Sequence, residues 1–193
     1  MKIKDETNLN SSPSGRLGGA VFFRTQIETP LGAMYACATD QGICLLEFDN
    51  RKNLEVQLKG LGGTIEDDES PFFPQLRKEL AEYFNGKRTE FTVPLDFVGT
   101  DFRKQVWTEL VKVPYGKTVS YLQLAKAIGN EKAVRAVANA NATNKIAIIV
   151  PCHRVIGSDG SLTGYAGGLE RKRRLLELEN AFPTLFGGRK QNC

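Results

Sequence analysis

Histidine is almost missing from this chain. Of 193 residues only His153 is one, and there are four cysteines, at 37, 44, 152 and 193. One imidazole and no close cysteine pair point away from a zinc site, and cysteines this scattered do not make a disulfide framework. Cys37 and Cys44 read as small buried hydrophobes and Cys193 as a free thiol on a tail. No apolar run approaches the roughly 20 residues of a membrane span. The first nineteen residues carry no signal-type apolar stretch. We therefore expect a monomer in a reducing compartment, cytoplasmic or, in a eukaryote, nuclear, with no membrane partner and no implied cofactor.

What is present is ordinary in amount, with 41% apolar and 25% charged residues. The charge is unevenly placed. Residues 1–97 hold 11 Lys+Arg and 15 Asp+Glu, a net of −4, whereas residues 98–181 hold 13 and 7, a net of +6. The last twelve residues add two positive charges, for +4 in all. A basic half favours a polyanion through counterion release.

Taken in order, residues 1–19 read as a flexible leader, rich in Ser and Gly. Residues 20–97 read as an α/β scaffold. Val21–Thr29, Ala33–Thr39 and Ile43–Phe48 form an antiparallel meander with turns at Pro30-Leu31-Gly32 and Asp40-Gln41-Gly42. A short helix spans Asn53–Lys59, and residues 62–69 form a loop. Ser70-Pro71 opens a helix with Phe72, Leu76, Leu80 and Phe84 on its apolar face. Phe91–Phe97 reads as one more strand.

Val98-Gly99 links to a second domain, residues 98–181. Its first helix starts at Asp101, with Phe102, Val106, Leu110 and Val113 as the buried stripe. Ser120 caps a helix over Tyr121–Ile128, Gly129-Asn130 breaks it, and Glu131–Ala142 follows, which makes a helix-turn-helix. Ala133, Ala136 and Ala140 recur on the second helix, with Arg135 standing among them. A helix faced by small residues packs closely on another helix, or enters a DNA minor groove. Leu169–Glu179 is a last helix carrying Arg171-Lys172-Arg173-Arg174, and residues 182–193 are a polar tail. The fold class is α+β: an N-terminal antiparallel sheet with helices, RNase H-like, and a mostly helical C-terminal domain.

One stretch carries chemistry. Ile146–Val150 reads as a short buried strand, and Pro151 ends it. Cys152 and His153 then stand side by side where strand gives way to loop, next to Arg154. A lone cysteine or a lone histidine is most often structural. A thiol beside an imidazole and a cation suits an activated nucleophile.

Pro151-Cys152-His153-Arg154-Val155 resembles the active-site signature of the O6-alkylguanine-DNA alkyltransferases. Other stretches agree in order: Phe102 to Trp107, Val119-Ser120-Tyr121, Gly129-Asn130 with Ala133–Val137, Asn144, Tyr165 with Gly167-Gly168-Leu169, and Glu179. The resemblance implies that Cys152 takes an alkyl group from O6 of guanine, or O4 of thymine, in double-stranded DNA. It implies that His153 is the base through a water, that Glu179 orients His153 and that Asn144 braces the cysteine turn. Arg135 would fill the gap left by an extruded base, and Ala133, Ala136 and Ala140 would face the groove. Tyr121 would crowd the flanking phosphate and reach the purine. Val155, Tyr165, Ala166 and Gly167 would line the pocket. The chain departs from the family pattern at Lys145, often proline there, at Asn139, often glycine, and at Ala166, serine in some relatives. A damage sensor that binds without transfer, and a cysteine hydrolase, are the readings set against it. The cysteine argues against the first, and the helix-turn-helix with its basic field against the second.

Overall fold

The computed structural model describes residues 20–50 and 54–181. The leader, the tail and the expected helix start at Asn53 lie outside the described residues. Four strands form the first sheet: β1 (Val21–Ile27), β2 (Met34–Ala38), β3 (Ile43–Phe48) and β4 (Thr64–Glu66), in the order β3-β2-β1-β4. The first three are the expected meander, with β1 and β2 antiparallel from Phe23↔Ala38 to Ile27↔Met34. The fourth corrects the expectation: part of the supposed loop 62–69 pairs parallel with β1. The sheet is therefore mixed. Gly63 permits this, because a Cβ there would sit 1.9 Å from the Ala20 carbonyl oxygen.

Helix α1 (Leu54–Lys59) ends at Gly60, and α2 (Phe73–Phe84) lies against the sheet. Ser70 does not cap α2 as expected. Its hydroxyl accepts from Phe72 N in the preceding turn, and the proline of the first helical turn is Pro74. The buried face is Phe73, Leu76, Leu80 and Tyr83, while Phe72 and Phe84 are half-buried. The supposed strand 91–97 is irregular. Buried Glu79 takes the backbone N–H groups of Thr92 and Val93 on its carboxylate, so those donors are spent outside any ladder. Only the Ile43↔Leu95 bridge remains.

The second half is helical. Thr100 caps α3 (Asp101–Val111), whose Val106, Trp107 and Leu110 are buried. The two-residue strands β5 (Val119–Ser120) and β6 (Val155–Ile156) pair in parallel. Ser120 and Gln123 make a full capping box at the start of α4 (Tyr121–Ala127). The helix ends in a Schellman turn, with Asn130 N bonded to Ala125 O and Gly129 N to Lys126 O, and Gly129 at φ +76. A 3₁₀ turn (Glu131–Ala133) leads into α5 (Val134–Ala142), completing the helix-turn-helix. The last helix is α6 (Leu169–Leu178). One apolar cluster runs from β2, β3 and α2 through α3, α5 and α6, so the two halves share a core. No helix among the described residues is long and apolar enough to cross a membrane.

Removing the capping box should be measurable by itself. Ser120→Ala is expected to lower unfolding stability by about 1 kcal/mol, read as an earlier urea midpoint with an unchanged slope.

Candidate active site

The segment before the cysteine is not a strand. Ile146 makes a single bridge to Leu46 of β3, and the chain then turns, with Val150 N bonded to Ile146 O at 3.1 Å. Ile148 takes φ +71, a left-handed conformation that a β-branched residue holds only under tertiary constraint. Pro151 centres a tight turn closed by Cys152 N on Val150 O at 2.8 Å. Cys152–Arg154 is a 3₁₀ turn. Cys152 and His153 are thus presented by consecutive turns, not by the end of a strand as expected.

Asn144 holds this arrangement. Its Nδ2 donates to Val150 O at 2.9 Å and to Cys152 Sγ at 3.1 Å, and its Oδ1 accepts from Ile146 N at 3.0 Å. Glu179 is the second anchor. It sits at the end of α6, where a Schellman turn with Asn180 at φ +55 fixes the backbone through Asn180 N on Glu177 O and Ala181 N on Leu176 O. The carboxylate accepts His153 Nε2 at 2.8 Å and Arg154 through a two-pronged contact at 2.8 and 3.0 Å. Tyr83 Oη donates to it at 2.6 Å and Gly116 N at 3.4 Å. Gly116 is required there, because a Cβ would lie 2.9 Å from Glu179 O.

Burial opposes ionisation of Glu179, but the His153 and Arg154 hydrogen bonds outweigh it and bring the carboxyl down to about 2. An ionised carboxylate only accepts, so the ring hydrogen of His153 belongs on Nε2. Burial pushes the imidazole below its ordinary value, against the pull of Glu179. The ring is therefore neutral, with its lone pair on Nδ1, which has no partner among the described residues.

Two residues here went unread in the sequence. Lys172 is 0% exposed, and its Nζ donates to Val155 O at 2.6 Å and Thr163 O at 2.5 Å. Burial drags its amine down to about 8, and the Cys152 sulfur pulls the other way. In the sequence Lys172 is one of four consecutive basic residues on the last helix. The helical period held the signal, since Lys172, Leu175, Leu176 and Glu179 follow at i, i+3, i+4 and i+7. Tyr83 likewise lies on the buried stripe of α2, and a buried hydroxyl calls for a partner. Arg154 was read as a cation for the thiol; it is instead bound to Glu179 and to Val113 O.

The pocket residues come together in part. Val155 is buried and Tyr165 half-buried, whereas Ala166 is exposed. A Cβ on Gly167 would meet Tyr165 at 2.7 Å and Phe48 at 3.0 Å, so only glycine fits between them. The Tyr121 hydroxyl lies beside Gly164, 3.8 Å from where a Cβ would be. On α5, Arg135 and Ala136 face outward, and Ala133 in the turn before it is half-buried. Ala140 corrects the expectation: it is 1% exposed, and its carbonyl accepts Trp107 Nε1 at 2.8 Å, so it packs inward on α3. The outward stripe is Arg135, Ala136, Asn139 and Ala142.

The folded-state value of Glu179 is depressed from the ordinary 4.5 to about 2. Its contribution is therefore complete above about pH 4.5 and is lost as pH falls towards 2. Glu179→Gln should flatten that acid limb of stability and cost about 3–5 kcal/mol at neutral pH, because Arg154 is left buried without a counter-charge. Urea unfolding of both proteins across that range measures the two effects together.

Comparison with known proteins finds relatives over both halves of the chain. The model of the 6-O-methylguanine DNA methyltransferase DNA binding domain matches residues 101–181, and that of its ribonuclease-like domain matches residues 22–97. A methylated-DNA–protein-cysteine methyltransferase of Methanosarcina barkeri is 44% identical over 79% of this chain and 94% of its own. One from Mycobacterium bovis is 58% identical over 53% of this chain and 62% of its own. The Mycobacterium tuberculosis OGT crystal structure in complex with DNA superposes with a TM-score of 0.70 at 41% identity, covering 83% of this chain and 93% of its own. From residue signature, fold and relatives together, the chain belongs to the 6-O-methylguanine-DNA methyltransferase family.

Proposed function

We propose that this chain repairs DNA directly, moving an alkyl group from O6 of guanine, and from O4 of thymine, onto Cys152. The observation that carries the reading is the joined set Asn144–Cys152 and His153–Glu179. In the step, the Cys152 proton passes to His153 Nδ1 through a bridging water. The thiolate attacks the alkyl carbon, an S–C bond forms and the C–O6 bond breaks. The electron pair leaves with guanine, which takes up the proton returned from His153 through the water, so the imidazole ends neutral. A thioether is a poor leaving group, so the S–C bond formed on Cys152 is stable. Each molecule therefore acts once.

Reaching O6 requires the base to leave the stack, which costs a few kcal/mol. The exposed Arg135, on a helix faced by Ala136 and preceded by half-buried Ala133, would enter the minor groove and occupy the gap. Tyr121, beside Gly164, would crowd the phosphate next to the target and help turn the nucleotide out. Tyr165, Ala166, Gly167 and the backbone near Val155 would then hold the guanine. One lone pair of Val155 O is already taken by Lys172, which leaves the other for the base.

Intact-mass measurement after mixing with a duplex containing O6-methylguanine should show one added methyl, on Cys152. Cys152→Ala should stay unmodified and still bind DNA. A folded wild-type protein that binds the duplex and gains no mass would mean a sensor rather than a repair protein. Lys172 gives a second test. Its charge and that of the thiolate stabilise each other, and the amine keeps its proton below about 8. Lys172→Met should slow transfer near neutral pH, because the thiolate loses the cation that offsets its charge. Its rate should also keep climbing with pH after the wild-type rate has levelled off, as single-turnover assays across pH would read.

A further inference from the structure

We propose that a cleft between the two halves, beside the active-site loop, holds a phosphate of the DNA backbone between Arg103 and Lys145. The proposal rests on the DNA-binding reading above and adds a contact outside the helix-turn-helix.

The cleft has a volume of about 900 Å³. Arg103 on the first turn of α3 and Lys145 just past α5 line it, with Val56 and Gln57 of α1 and the loop from Tyr165 to Gly168. Arg171 is another cation in the lining, and no carboxylate is among the described lining residues. Arg171 is already committed. Its guanidinium donates to Leu31 O, Asn50 Oδ1 and Gly167 O, and it covers the Phe48 ring at 4.1 Å.

Arg103 and Lys145 are different. Both are half-buried, and neither side chain makes a hydrogen bond or ion pair among the described residues. Among the described residues, Arg24, Arg77, Arg88 and Lys112 are paired with Asp67, Glu69, Glu82 and Glu109, and unpaired lysines such as Lys87, Lys104, Lys117 and Lys132 stand exposed in water, whereas Arg103 and Lys145 are unpaired and half-buried. Burial lowers the Lys145 amine, and the charge of Arg103 lowers it further. Two cations held near each other, partly out of water and without an acid, favour any anion that reaches them.

The position selects which anion. Ala142 is exposed and lies at the cleft edge. It stands seven residues after Arg135, so at about 100° per residue the two share one face of α5, roughly 10 Å apart along the axis. DNA laid along the outward stripe from Arg135 through Asn139 to Ala142 therefore runs into the cleft. Flexible ammonium and guanidinium groups at such a rim suit phosphate oxygens and carry no base reading. The backbone position of Lys145 is set by its carbonyl, which accepts Leu46 N at 2.8 Å. That bond would be served by any residue, so it does not account for the amine.

The test is the salt dependence of binding to a lesion-free duplex. Arg103→Gln and Lys145→Gln should each reduce the slope of log affinity against log salt by about 0.9, and the double variant by about 1.8. Affinity at low salt should fall roughly tenfold or more in the double variant. Arg103→Lys should keep the wild-type slope. In transfer assays the loss should fall on the DNA concentration giving half-maximal rate rather than on the maximal rate. The pair Lys78→Gln and Lys87→Gln removes the same charge from exposed positions of the N-terminal half and should leave the slope near wild type. An unchanged slope in the cleft variants, or an equal drop in the Lys78 and Lys87 control, overturns the proposal. Melting curves report folding, and the single variants decide the matter if the double variant does not fold. A wild-type protein that transfers no methyl would defeat the repair reading, while the salt series would still judge this contact.

Discussion

The structure depends on one buried carboxylate. Glu179 is 1% exposed, and removing a charge from water is costly unless it is fully paired. Its oxygens receive Tyr83 from α2, Gly116 from the turn after α3, and both His153 and Arg154 from the turn after the cysteine. Three segments far apart in the chain are thereby fixed against the end of α6. The same contacts set the tautomer of His153 and aim its free nitrogen away from the carboxylate. Stability and chemistry thus rest on the same hydrogen bonds.

The N-terminal half is consequently more than a scaffold. It supplies Tyr83 to the carboxylate, Phe48 to the wall beside Gly167, and Asn50 and Leu31 to the guanidinium of Arg171. The edge of β3 is closed on one side by Leu95 and on the other by Ile146, immediately ahead of the cysteine turn. Through that bridge the sheet positions the segment that Asn144 then braces. Strain at Ile148 is held in place by these flanking contacts, as expected where a reactive group must be presented off a rigid frame.

Positive charge is arranged in two tiers. Lys172 lies inside, held by two carbonyls and coupled to the sulfur. Arg135, Arg103 and Lys145 lie outward, along α5 and the cleft at its end. On the proposed reading the inner charge favours ionisation of the nucleophile, whereas the outer ones meet a polyanion. The net +6 of residues 98–181 therefore serves two separate purposes.

By itself the sequence determined what is local. Ser120 with Gln123, Gly129-Asn130 and the apolar period of α3 specify the helix-turn-helix, because caps, turns and helical spacing act within a few residues. The meander β1–β3 and the Cys152-His153 pair were legible for the same reason, and the family signature added Asn144 and Glu179. Tertiary structure alone decided the rest. An apolar run such as Ile146–Val150 suits a strand or a buried turn equally, and only bonds to Leu46 and Asn144 select the turn. Phe91–Phe97 lost its ladder to the carboxylate of Glu79, and Ala140 turned inward because Trp107 needs its carbonyl. Arg154 took Glu179 and Val113, 25 and 41 residues away, and Lys172 took Val155, 17 residues away. Such choices depend on which distant groups meet, and no local pattern carries that information.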